Sequence, residues 1–216
     1  MIIRKYTPTD RNAVEHIQFE TWNLGKSASL LANDKKRFSD EIKYYLEEEP
    51  ESCFVAEEKG KVVGYLLGCL DDKDHNESIS GFLLKSIGIF FQLPIMDKKD
   101  RRHWFGTIKM IFGAIFGLSE DSKFRVPKNS GHIHINLLPS ARGFGAGTKL
   151  LKEFFKYARS KKVKLIHADS WRTRLNPNKN FWIKNGFKEY SKVKTIFWKT
   201  HYPDEDIKLV CYVKKI

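Results

Sequence analysis

Six consecutive residues, Arg142-Gly143-Phe144-Gly145-Ala146-Gly147, separate an alternating segment from a two-faced one. A strand that breaks into glycines and enters a helix directly leaves the first helical amides without intrahelical acceptors, all directed at one small volume. Glycine gives the backbone the conformations that aim those amides inward and removes side chains that would hold an anion off. The helix dipole further favours negative charge there. Arg142 at the mouth can add a charge-assisted hydrogen bond. The chemistry is binding of a phosphate-bearing ligand. Spacing excludes two familiar versions: no Lys-Ser or Lys-Thr follows the last glycine, and Gly143, Gly145 and Gly147 do not make GxGxxG.

Groups that can move protons lie nearby in the chain. His134 sits on the strand before the turn, and an imidazole there can accept an amine proton directly or through water. His132 shares its face, and a hydrogen-bonded strand histidine is the simpler role for either. Asp169 closes the next strand-like run, "VKLIHAD", as a base, a cation partner or a structural cap; Tyr190 is a candidate proton donor. Cys53, Cys69 and Cys211 are odd in number, widely spaced and mostly flanked by apolar residues, the pattern of buried thiols in a reducing compartment. No CxxC or Cys/His spacing points to a metal, and none is expected.

The elements that must position these groups follow from periodicity. Ile2 to Tyr6 reads as a strand, and Thr9 or Asp10 caps a helix to about Trp22. A second helix covers 33–47, ended by Pro50. Strands near 52–57 and 62–70 flank Glu58-Lys59-Gly60-Lys61 as a hairpin. Residues 131–137 alternate as a strand, and 145–160 form a helix with Leu150, Leu151, Phe154, Phe155 and Ala158 on one face and Lys149, Lys152, Lys156 and Arg159 on another. Residues 176–185 make a short helix stopped by Gly186, and 187–199 with 207–215 make two closing strands.

Residues 73–127 differ in character. Two candidate helices, "SISGFLLKSIGIFFQL" and "DRRHWFGTIKMIFGAIFGL", carry more aromatic and aliphatic residues than one narrow stripe accommodates. The excess packs on the main core or on a second copy, which makes this insertion the candidate homodimer surface. Otherwise it forms a lid, an acceptor wall or a peripheral membrane contact with Arg101, Arg102 and Lys109 near lipid phosphates.

With 216 residues, 41% hydrophobic and 30% charged, the chain reads as a single domain, 1–216, carrying that insertion. The net charge of +13 suits an anionic partner. Nucleic acid ranks last, because no base-stacking motif accompanies the charge. The N-terminus lacks a signal-peptide pattern and no long uncharged apolar run occurs, so a cytoplasmic protein is expected.

Arg142 to Gly147 matches Arg/Gln-x-x-Gly-x-Gly/Ala, preceded by "HINLLP" and followed by "TKLLKEFFKYARSKK", a strand and "FWIKNGF". In this order the motifs resemble the GCN5-related N-acetyltransferase (GNAT) family. The resemblance covers most of the chain apart from about 73–127. It implies an α/β (α+β) fold, with a central mixed, mostly antiparallel twisted sheet flanked by helices and a helical insertion between the third and fourth strands. It also implies an acetyl-CoA or other acyl-CoA cosubstrate. The pyrophosphate would lie at Arg142, Gly143, Phe144, Gly145, Ala146, Gly147 and Thr148, with the pantetheine arm beside Leu137 and Leu138. Asn176 or Asn178 stands near the family's cofactor-arm asparagine. The implied activity is acetyl transfer to the primary amine of a small molecule; a protein amine, or acyl-CoA binding without chemistry, are the alternatives. The family's acid is often a tyrosine four residues before the glycine of Gly-Phe. Here that position is Trp182, whose indole is only a donor.

Overall fold

The computed structural model describes residues 1–71, 93–174 and 178–216. The first candidate helix of the insertion and Asn176 lie outside the described residues. Among the described residues seven strands form one sheet: β1 (Ile2–Lys5), β2 (Phe54–Glu58), β3 (Lys61–Cys69), β4 (Gly131–Leu137), β5 (Leu165–Arg172), β6 (Lys188–Lys194) and β7 (Lys208–Lys215). Their spatial order is β1-β2-β3-β4-β5-β7-β6. Only β4 and β5 pair in parallel; the other neighbours are antiparallel. The β2–β3 hairpin turns at Lys59 and Gly60, both at positive φ (49° and 75°), as a tight two-residue hairpin loop requires.

Helices α1 (Arg11–Thr21) and α2 (Lys35–Glu47) cover one face of the sheet, and α4 (Ala146–Ser160) covers the other. Strand alternation divides the core between them. On β3, Tyr65, Leu67 and Cys69 join Val14, Ile17 and Ile42, whereas Leu66 joins Leu150, Leu151 and Phe154. Burying a side chain such as Leu150 or Phe154 stabilises the fold by roughly 1.5–3 kcal/mol. All three cysteines are buried, and none is in a disulfide.

Helix α3 (Lys98–Ile115) is the longest described element of the insertion, and its apolar residues are split between two sides. One side buries His103, Trp104 and Thr107; the other leaves Phe105, Phe112 and Ile115 more than half exposed. No described helix is long and apolar enough to cross a membrane. The closing strand expected over 187–199 stops at Lys194. Beyond it Phe197 and Trp198 enter a 3-10 turn and bury their rings against Leu24, Leu31 and Ile207. The last helix, α5 (Lys179–Lys184), begins after Asn178.

Candidate active site

The site begins where two strands part. β4 and β5 share ladder pairs only at Gly131–Ile166 and His132–His167, although β4 continues to Leu137 and β5 to Arg172. The outer edges of both strands stay paired over that length, β4 with β3 and β5 with β7. The facing edges therefore diverge into a wedge whose backbone amides and carbonyls are open to a ligand. A cleft of about 570 Å³ occupies it, lined by Ile133 to Leu137, by Asp169 to Trp171 and by the start of α4.

The glycine turn closes one end of the cleft. Gly143 and Gly145 sit at φ +85° and +79°, the left-handed region that favours glycine, and Gly145 leads straight into α4. Lys149 N is the first amide to reach back, to Gly145 O at 3.0 Å, which leaves the amides of Ala146, Gly147 and Thr148 at the cleft without intrahelical acceptors. Gly147 is needed for a different reason. A Cβ there would lie 2.8 Å from the Phe181 ring, so glycine lets α5 close over the turn.

Arg142 lines the cleft, but part of its guanidinium serves the scaffold. Nε donates to Leu137 O and Nη2 to Gly25 O, each at 2.9 Å, tying the strand end to the loop after α1. Desolvation pulls its pKa below the ordinary arginine value, and the charge remains. Phe144 points away, 74% exposed, so its contribution to the turn is backbone. Thr148 lines the cleft. Leu137 also lines it, whereas Leu138 packs on the α1/α2 side and its amide donates to Val63 O at 2.9 Å. Asn178 borders the cleft, with Nδ2 donating to Trp171 O at 3.0 Å and to Ser170 Oγ. Its buried Oδ1 has no partner among the described residues, an acceptor suited to an amide N–H.

The candidate proton-moving groups separate. His134 and Asp169 both line the cleft, half-buried. Tyr190 does not. It is the extra residue of a bulge between Glu189 and Ser191 on the edge strand β6, 53% exposed, and the bulge turns it outward. Trp182 lines the cleft, stacked on Tyr212 at 5.7 Å and 21°. Its buried Nε1–H has no acceptor among the described residues.

Three further features were not read from the sequence. Beside His134, Asn136 Nδ2 donates to Tyr65 Oη at 2.8 Å and to Gln18 Oε1 at 3.2 Å, and Tyr65 Oη donates to Gln18. Burial raises the Tyr65 pKa, so this hydroxyl stays neutral and the network fixes the strand face that carries His134. Trp22 lines the cleft, with its indole N–H held by Glu41 at 2.6 Å. Burial raises the Glu41 pKa, countered by Arg37. Finally, His132, His167 and Asp169 offer donor atoms within 4.8 Å of one another. Their convergence depends on the parallel register of β4 and β5, which leaves no mark along the chain. Only the α1 helical period, which places Gln18 inward, was a usable signal for any of these.

No protein-family model matches the sequence, and no curated protein matches it. Solved structures do. The protein called SsHAT superposes with a TM-score of 0.64 at 21% identity, over 99% of this chain and 97% of that one. An aminoglycoside 6'-N-acetyltransferase complexed with coenzyme A gives 0.56 at 12% identity, over 100% and 97%. An acetyltransferase of the GNAT family from Desulfovibrio desulfuricans gives 0.54 at 12%, over 99% and 98%. At these identities the likeness is one of fold, and the mixed, mostly antiparallel sheet flanked by helices is the architecture that the sequence motifs imply. The chain has the GNAT fold.

Proposed function

We propose that the protein is an acyl-CoA-dependent N-acyltransferase that moves an acetyl group to the primary amine of a small molecule. One observation carries this reading: the β4–β5 wedge ends at the glycine turn, where the amides of Ala146, Gly147 and Thr148 meet the cleft. A cosubstrate with a pyrophosphate at one end and an amide-bearing arm at the other matches both parts. The open edge of β4 pairs with the arm's amides, Asn178 Oδ1 accepts from one of them, and the thioester is carried to the level of His134. Coenzyme A in the aminoglycoside acetyltransferase supports the assignment, as does the amine class that enzyme is named for.

The reaction needs a neutral amine, an oriented carbonyl and a stabilised leaving sulfur. The amine nitrogen attacks the thioester carbon, forming the C–N bond as the C–S bond breaks. Its surplus proton passes to the His134 imidazole, and from there to the departing thiolate or to solvent. Trp182 cannot supply a proton, but its unpartnered Nε1–H donates a hydrogen bond to the developing sulfur charge. Much of the acceleration comes from holding the two reactants together. The amine enters from the side of Trp22, Leu24 and Trp171, which wall the cleft.

The test is thiol release from acetyl-CoA across a panel of aliphatic amines, polyamines, aminoglycosides and lysine peptides. Turnover with a small amine, lost in His134→Gln and retained in Tyr190→Phe, is expected. Tight acetyl-CoA binding without turnover for any amine would replace the transferase by an acyl-CoA-binding module.

A further inference from the structure

The apex of the wedge holds a cluster that the transferase chemistry does not require. His132 and His167 are ladder partners at the last pairing of β4 with β5, their rings 4.7 Å apart and tilted by 34°. Asp169, two residues beyond His167, shares its strand face. One donor atom from each of the three lies within 4.8 Å of the others.

A hydroxyl group lies behind each of the two rings. Ser130 Oγ donates its one proton to Pro127 O at 2.8 Å, so toward His167 Nδ1, 2.9 Å away, it acts as acceptor. His167 Nδ1 therefore carries a hydrogen, and in the neutral ring the lone pair then lies on Nε2. His132 Nδ1 lies 2.6 Å from the hydroxyl of buried Tyr45, which accepts from Nδ1–H in the tautomer that leaves Nε2 unprotonated. A hydroxyl behind each Nδ1 is how outer groups orient metal-binding imidazoles and set their tautomer.

We propose that His132, His167 and Asp169 bind a divalent transition-metal ion of the zinc class at the apex of the β4–β5 wedge. Two imidazoles and a carboxylate suit such an ion, and three protein ligands leave a position open. With donors no more than 4.8 Å apart, a central ion lies within about 2.8 Å of each; bonds of about 2.0–2.2 Å require movements below about 1 Å. Asp169 lines the cleft, which provides the entry path, while His167 closes the site from behind at 1% exposure. The ion would pin the strands where they begin to part, with Asp169 engaged as a ligand and His134 left to take the amine proton. The sequence expectation of no metal rested on spacing along the chain, and this triad draws on two strands.

The experiment uses the full chain freed of metal by a chelator, titrated with Zn2+ by calorimetry and with Co2+ by visible absorption. One ion per chain is expected, with the visible bands of a four-coordinate nitrogen/oxygen cobalt site. Asp169→Asn and His167→Gln should each weaken binding at least about a hundredfold, and Ser130→Ala by about ten- to a hundredfold. His16→Gln, at an exposed position on α1, should leave binding unchanged. Circular dichroism monitors folding, and if His167→Gln does not fold, the isosteric Asp169→Asn decides. No stoichiometric binding by the wild type, or binding that survives Asp169→Asn, would overturn the site.

Discussion

Helices α4 and α3 both dock an aromatic face on the rest of the chain, yet they treat unpaired polar groups in opposite ways. At the start of α4, unpaired amides open onto a cleft, held there by Gly145 at φ +79°. On α3, His103 is fully buried among Trp22, Phe38, Phe197 and His201, and neither ring nitrogen has a partner among the described residues. Donors open to a cleft cost the protein little and can serve a ligand; nitrogens sealed among rings carry a desolvation cost with no return in binding. The first arrangement suits ligand binding, and the second is a stability liability.

Gly147→Leu should break the first arrangement most severely. The added side chain starts 2.8 Å from the Phe181 ring and must push α5 out or fill the turn, so thiol release should fall at least about a hundredfold. Steady-state kinetics beside a melting curve would separate this from unfolding. Trp182→Phe removes the indole donor but keeps a ring against Tyr212, and should lower kcat by about ten- to a hundredfold with little change in acetyl-CoA affinity. Trp182→Tyr, which restores a hydroxyl at that position, should recover much of the loss and bring in a pH-dependent limb that the wild type lacks.

The second arrangement should respond to acid. Burial pushes the His103 pKa down to about 2, aided by the charges of Arg37 and His201, and burial with Arg102 and Arg37 pushes His201 down to about 4. In the unfolded chain both take up a proton near pH 6.5. Their neutral forms therefore contribute fully above that pH, and stability falls as pH drops toward the folded values, at up to about 1.4 kcal/mol per pH unit for each group. Denaturant melts between pH 7.5 and 4.5 should show this slope. His103→Phe, a ring of similar shape without buried nitrogens, should flatten it and raise the midpoint while leaving acetyl-CoA affinity unchanged. The smallest effect belongs to Tyr190→Phe: on its exposed bulge, activity should stay within about twofold of wild type.

What was legible in the sequence follows the same division. The glycine turn, the α4 stripe and the Lys59-Gly60 hairpin are local patterns, in which neighbouring residues specify both conformation and burial, and all three appear in the structure. Tyr190 was misplaced because a bulge shifts strand alternation by one residue without a compositional sign. The carbonyl partners of Arg142 left no mark beside the turn because tertiary folding sets them, Gly25 being 117 positions away. The burial of His103 left no mark along its own helix, because the rings around it come from distant segments. The His132–His167 pairing needed a strand register that no single strand encodes.

The most direct measurement is a calorimetric titration of the wild type and Gly145→Val with acetyl-CoA. Valine at φ +79° is strained by about 1–3 kcal/mol and redirects the turn amides without touching His134 or Trp182. The account predicts one acetyl-CoA bound per wild-type chain and binding weakened at least about a hundredfold in a variant that keeps its circular dichroism spectrum. A folded wild type that does not bind, or a folded variant that binds equally well, would contradict it.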